Sequence, residues 1–203
     1  MKISAVEPSS RHKGMKHIHL DGAYAFSMPE EVYLRLRLYD REELTEAEVL
    51  EIRETVLRKA ARDQAFRYLT VCDRTEKGLL DRLVRTGYDE DTAAVAVADM
   101  KSVGYVDDGR YAQRYITEQL RSKAVSRKRI GLNLQAKGIA VETVEAVLAE
   151  FEQDDEETAI RGIRKKFGKY DLKDPAVEKK AVSFLLHRGF SYETVRKIIV
   201  LCQ

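Results

Sequence analysis

The residues whose types could do chemistry fall into three groups: histidines near the start, a pair of adjacent acids, and runs of lysine and arginine. His17 and His19 share one strand face, with His12 close by, yet no cysteine or neighbouring carboxylate completes a tetrahedral metal set. Solvent-facing histidines are expected there instead. Asp107 and Asp108 are consecutive, so in a helix their carboxylates diverge by about 100° and cannot share a proton or a cation. Capping the helix that follows is the simpler role for them. Tyr105, Tyr111 and Tyr115 have faces on which bases could stack, although their spacing suits packing between helices equally well. The chain contains no GxxxxGK[ST], HExxH or GxSxG signature. No enzyme, cofactor or metal is therefore expected.

The cations are more informative. Between Glu118 and Glu142 stand Arg121, Lys123, Arg127, Lys128, Arg129 and Lys137, without an acid among them. A second run holds Arg161, Arg164, Lys165, Lys166 and Lys169, and a third cluster is Lys179, Lys180 and Arg188. Acids at 150–157 and around 42–54 offset them, so 36 basic and 34 acidic residues leave a formal charge of only +2. One such run would be an ordinary solvated face. Three in comparable places favour an extended basic surface for a polyanion or an acidic protein groove.

The places are comparable because the chain repeats. Gly87, Gly138 and Gly189 recur every 51 residues. Leu83, Leu134 and Leu185 precede them by four positions, and Tyr88, Ile139 and Phe190 follow by one. Further on come Thr92, Thr143 and Thr194, then Met100, Phe151 and Cys202. Apolar residues returning to the same slots mark tandem structural units. Each unit reads as three helices: one beforehand, one ending at the glycine in a left-handed turn, and one after it. The first helices are roughly Ala60–Cys72, Asp108–Arg121 and Glu156–Phe167. Gly104 closes the last helix of the first unit. A helix-turn-helix DNA reader is disfavoured, because the helix after the turn begins Asp89-Glu90-Asp91 in one unit and carries Glu142, Glu145 and Glu150 in the next.

Ahead of the repeats, Ile18 and Leu20 alternate with polar residues, Asp21-Gly22 interrupts, and Tyr24 and Phe26 resume the alternation. That is a hairpin signal. Ile3 to Val6 supplies a possible third strand. Pro29-Glu30-Glu31 starts a short helix, and Thr45 to Glu48 forms a capping box before a helical stripe of Val49, Ile52, Val56 and Ala60. The expected fold is mainly α: three tandem three-helix repeats with a small N-terminal sheet. Its divisions are 1–44 (hairpin and short helix), 45–106 (first repeat with a lead-in helix), 107–154 and 155–203.

At 44% hydrophobic and 34% charged residues, with no tryptophan, the 203-residue chain suits a helix-rich soluble protein. Cys72 and Cys202 lie 130 positions apart and are expected to be buried thiols. No signal segment or long apolar run is evident, so a cytoplasmic location away from any membrane is expected.

Several segments resemble the RecX family of bacterial RecA regulators. They are Arg74-Thr-Glu-Lys-Gly-Leu-Leu-Asp-Arg-Leu83, Gly104-Tyr-Val-Asp-Asp-Gly-Arg-Tyr-Ala112, Ser126-Arg-Lys-Arg-Ile130, Leu134-Gln-Ala-Lys-Gly-Ile139 and Phe184-Leu-Leu-His-Arg-Gly-Phe190. Leu20 to Phe26 is similar to the N-terminal extension of longer members. Gly104, Tyr105, Asp107, Asp108, Tyr111, Ala112 and Gly138 would be structural motif positions. The resemblance implies a monomeric protein that binds in the groove of the RecA–single-stranded DNA filament. It would modulate, commonly inhibit, recombinase, ATPase and co-protease activities in DNA repair and the SOS response. Arg121, Lys123, Arg127, Lys128, Arg129, Arg161, Arg164, Lys165 and Lys166 are then the candidate filament or DNA contacts. The family usually has glycine where this chain has Lys123-Ala124-Val125. The alternative is a sequence-nonspecific nucleic-acid-binding repeat protein that acts without RecA.

Overall fold

Asp21 and Gly22 both adopt positive φ, 50° and 85°, as a tight two-residue hairpin connection requires. This computed structural model of the protein describes residues 1–122, 124–152 and 154–202. The turn joins β2 (Met15–Leu20) to β3 (Ala23–Pro29), and β1 (Ile3–Pro8) adds on the far side to give an antiparallel sheet in the order β1-β2-β3. Ile18 and Leu20 of β2, with Phe26 and Met28 of β3, are buried against the helices that follow. Three short strands gain their stability from that apolar face.

Pro29 leads into α1 (Glu30–Arg35), a short helix with Glu30 and Glu31 in its first turn. Arg37 adopts a left-handed conformation at φ 53°, and a single 3-10 turn covers Leu38–Asp40. Thr45 then caps α2 (Glu46–Glu51) in a full capping box: its hydroxyl accepts from the Glu48 amide, and the Glu48 carboxylate accepts from the Thr45 amide at 2.8 Å. That amide bond, reinforced by Arg41, lowers the Glu48 pKa to about 2. A carboxylate with a depressed folded-state pKa stabilises above its unfolded value, and the contribution fades as pH falls through the folded one. Glu48→Gln should therefore destabilise the protein at pH 7 but hardly at pH 2, when urea unfolding is compared across that window.

Helical backbone runs unbroken from Glu46 to Val71, but Ile52–Leu57 is wound as a π-turn before α3 (Arg58–Val71). The wider turn delays the inward stripe by a residue. Leu57 is consequently buried where the regular pattern placed Val56, which is only half-buried. Cys72 corrects another expectation. It is exposed, because α3 has ended at Val71 and the backbone at Cys72 is already extended. Cys202 is half-buried against its core.

The repeat helices follow in sequence. The first repeat is α3, α4 (Glu76–Val84) and α5 (Glu90–Ser102); the second is α6 (Asp108–Ser122), α7 (Arg127–Ala136) and α8 (Val141–Ala149); the third is α9 (Asp155–Phe167), α10 (Pro175–His187) and α11 (Tyr192–Cys202). The glycines at 87, 138 and 189 have φ of 113°, 91° and 86°. After each, the next amide reaches back to the leucine carbonyl: Tyr88 to Leu83, Ile139 to Leu134, Phe190 to Leu185. This closure of a helix end needs a left-handed residue, which glycine supplies without a Cβ penalty. Gly104, at φ 78°, ends α5 in the same way.

The chain forms two compact units, Met1–Asp107 and Asp108–Gln203. In the first, one core runs from the sheet through the first repeat to Val106. The second contains two apolar clusters, one within each of its repeats. No described helix is long and apolar enough to cross a membrane.

Candidate polyanion-binding surface

A run of cations in sequence does not form a face on a helix, because successive side chains leave the axis about 100° apart. Ser126 caps α7 by accepting from the Arg129 amide at 3.2 Å. The next three residues then diverge. Arg127 turns back into the protein: its Nη1 donates to the Phe151 carbonyl at 2.8 Å and its Nη2 to the Leu148 carbonyl at 2.7 Å. Its amide donates to the Asp155 carboxylate at 3.0 Å. Carbonyls at the end of a helix lack intrahelical partners, and a cation there also opposes the negative end of the helix dipole. Arg127 thus joins α7, the end of α8 and the start of α9. Lys128 and Arg129 are exposed.

Arg161 acts similarly, with its Nη2 donating to the Leu120 carbonyl in the last turn of α6 at 3.2 Å. Along α9, Arg164 lies about 200° round the axis from Lys166, so the two present charge on opposite sides. Arg164, Lys165 and Lys166 are exposed, as is Arg121, while Lys123 lies outside the described residues. Lys137 sits 5.8 and 5.7 Å from the ring centroids of Tyr111 and Tyr115. Those half-buried tyrosines stack on one another and pack against the second-repeat core, alongside the fully buried Ala112. Tyr105 is exposed and meets Phe66 edge-on at 5.3 Å. Asp107 stands immediately before α6 and Asp108 in its first turn.

The second and third repeats meet at a contact invisible in either basic run. The Ser126 amide donates to the Arg188 carbonyl at 3.1 Å. Gly189 lies so close to α7 that a Cβ there would stand 2.5 Å from the Arg129 Cβ and 2.8 Å from the Ser126 Oγ. Arg129 therefore emerges beside the α10–α11 turn. From Arg188 the positive charge continues: its guanidinium carbon is 5.2 Å from the Phe184 ring centroid, and the Lys166 Nζ is 4.3 Å from the same centroid. Arg188 and Lys166 thus converge on one ring, and Arg129 of the preceding repeat is rooted beside the adjoining turn. Of these, Arg188 came from the third basic cluster, and the missing signal was Phe184, whose ring gathers two of the cations.

At the opposite end of the chain, His17 and His19 flank Tyr24 edge-on, and the His17 Nδ1 is 2.8 Å from the Ser27 Oγ. No group of three or more metal-capable side chains occurs among the described residues.

Family models for the three RecX three-helix domains match consecutive parts of the chain: the first at residues 61–100, the second at 107–148 and the third at 153–199. A Regulatory protein RecX from Caldanaerobacter subterraneus subsp. tengcongensis is 30% identical over 94% of this chain and 95% of its own length. Another, from Clostridium botulinum strain Eklund 17B, is 26% identical over 98% of this chain and 94% of its own. A crystal structure of a regulatory protein RecX, 25% identical, superimposes with a TM-score of 0.62 over 97% of this chain and 98% of that one.

Proposed function

Because the chain belongs to the RecX family, we propose that it is a non-enzymatic cytoplasmic regulator, predominantly an inhibitor, of the RecA recombinase. Family membership across all three repeats and nearly the whole length carries this reading. In it, a monomer docks in the groove of the RecA–single-stranded DNA filament and restrains ATP hydrolysis, strand exchange and co-protease action during DNA repair and the SOS response. Contact with single-stranded DNA is made weakly or through the filament.

Among the candidate contacts, Arg121, Lys128, Arg129, Arg164, Lys165 and Lys166 are exposed, with the Lys166 ammonium lying over the Phe184 ring. The guanidinium groups of Arg127 and Arg161 already bond to helix-end carbonyls. A filament combining acidic protein surface with phosphate suits the first group, and the attraction should weaken as salt rises.

The test is a titration of the protein into RecA hydrolysing ATP on single-stranded DNA. Hydrolysis should slow, and Lys128→Glu with Arg129→Glu should raise the amount needed by about tenfold with helical content unchanged. Arg127→Ala should instead lower folding stability by about 2–3 kcal/mol, since its charge-assisted bonds to carbonyls are lost. Unchanged ATPase and strand exchange, with both proteins soluble, would defeat the proposal. Tight DNA binding without any effect on RecA would favour the RecA-independent alternative.

A further inference from the structure

Between α9 and α10 the third repeat opens a cleft of about 810 Å³. Lys166, Lys179, Lys180, His187 and Arg188 line it together with Phe184. No acidic side chain is among the described residues that line it. The lining follows α10 from Ala176 to His187, so it extends about 16 Å along the helix. A length of that kind suits a stretch of polymer better than a compact small molecule.

We propose that this cleft binds an extended acidic peptide in which carboxylates alternate with an apolar side chain. The assignment goes beyond the RecA reading and requires no part of it. Charge complementarity selects an anion: lysines 179 and 180 are exposed on one wall, and Lys166 and Arg188 are held over the Phe184 ring. The ring contacts argue for peptide over nucleic acid. A nucleobase stacks on an open aromatic face, whereas two cations already engage Phe184. A carboxylate needs only those cations, and their aliphatic stems, with Phe167 and Ala176, leave apolar wall for a neighbouring side chain. In an extended peptide, alternate residues recur about 7 Å apart on one side, close enough to the 5.4 Å pitch of α10 for an acid, an apolar side chain and a second acid to meet Lys180, Phe184 and Arg188 on successive turns. The Ser126–Arg188 backbone bond holds the Arg188 end of the cleft in place.

Fluorescence anisotropy on the purified full chain, with no RecA present, tests this. The probe is a labelled peptide of about eight residues, alternating aspartate with alanine around one central phenylalanine. Oligothymidylate of equal charge serves as the competitor class. Wild type should bind the peptide, and Lys179→Glu with Lys180→Glu should weaken binding about tenfold or more, because two attractive charges become repulsive. Both lysines are exposed, so the fold should survive, as circular dichroism would verify. Phe184→Leu should weaken this peptide more than one with alanine at the centre. Equal binding by wild type and the lysine double variant would overturn the assignment, as would absence of peptide binding. Oligothymidylate binding that depends on these lysines while the peptide fails to bind would assign the cleft to nucleic acid instead. None of these outcomes depends on the ATPase result.

Discussion

Gly189→Ala should lower the stability of the second unit by about 2–5 kcal/mol in urea unfolding. Two costs combine. Gly189 has φ 86°, a left-handed conformation that costs an L-residue about 1–2 kcal/mol. The new methyl would also sit 2.5 Å from the Arg129 Cβ, and overpacking of that kind typically costs about 1–3 kcal/mol. The near atom is the root of the arginine side chain, so a rotamer change cannot relieve the clash, and α7 must move. Gly104→Ala separates the two costs. Its φ is 78°, but nothing lies within 4 Å of a Cβ there, so a loss of only about 1–2 kcal/mol is expected. Equal losses at 104 and 189 would mean that the third repeat's turn does not bear on α7. The variant should also weaken peptide binding in the α9–α10 cleft, since Arg188 is held by the same contact.

Leu83→Ala, Leu134→Ala and Leu185→Ala should each cost about 3–5 kcal/mol. All three leucines are fully buried, at 0% exposure, and each lies one turn ahead of its glycine at the centre of a three-helix unit. Removing the side chain forfeits its transfer free energy and leaves a cavity that close-packed neighbours fill incompletely. The slots thirteen residues after the glycines should respond unequally. Met100 is buried, whereas Phe151 and Cys202 are half-buried, so Cys202→Ala should cost under about 1 kcal/mol while Met100→Ala costs about 2–4 kcal/mol. Chemical denaturation of the set would establish whether the repeat is energetic as well as geometric. Similar losses at 100 and 202 would show that the equivalent slots carry equal weight in spite of their unequal burial.

The repeat was legible because its signals are local. A left-handed glycine after an amphipathic helix specifies its own turn, and a leucine four residues earlier meets the returning chain whatever lies further away. The Thr45–Glu48 capping box is local in the same sense, and so are the left-handed backbone conformations of the Asp21-Gly22 turn, although the groups of that turn also bond to Lys2 and Ser4 on the neighbouring strand side. The π-turn at Ile52–Leu57 was not legible: no glycine or proline marks it, and a regular helical stripe through Val56 fits the same letters. Cys72 was misplaced because its burial depended on where α3 stops.

Charge was least legible of all. Net charge follows from composition and its clustering from the order of the residues, so the sequence by itself established acid-poor basic stretches in the second and third repeats. Arg127 and Lys128 are adjacent letters with the same charge, yet one guanidinium satisfies the end of α8 while the other cation faces water. Which of them is available depends on where helix-end carbonyls fall in space, from residues more than twenty positions away. Likewise Lys166 and Arg188 meet over Phe184 only because α9 and α10 pack side by side. Backbone turns follow from near neighbours in the chain, but the direction a long flexible cation takes is decided by whichever acceptor or ring the folded helices bring within reach.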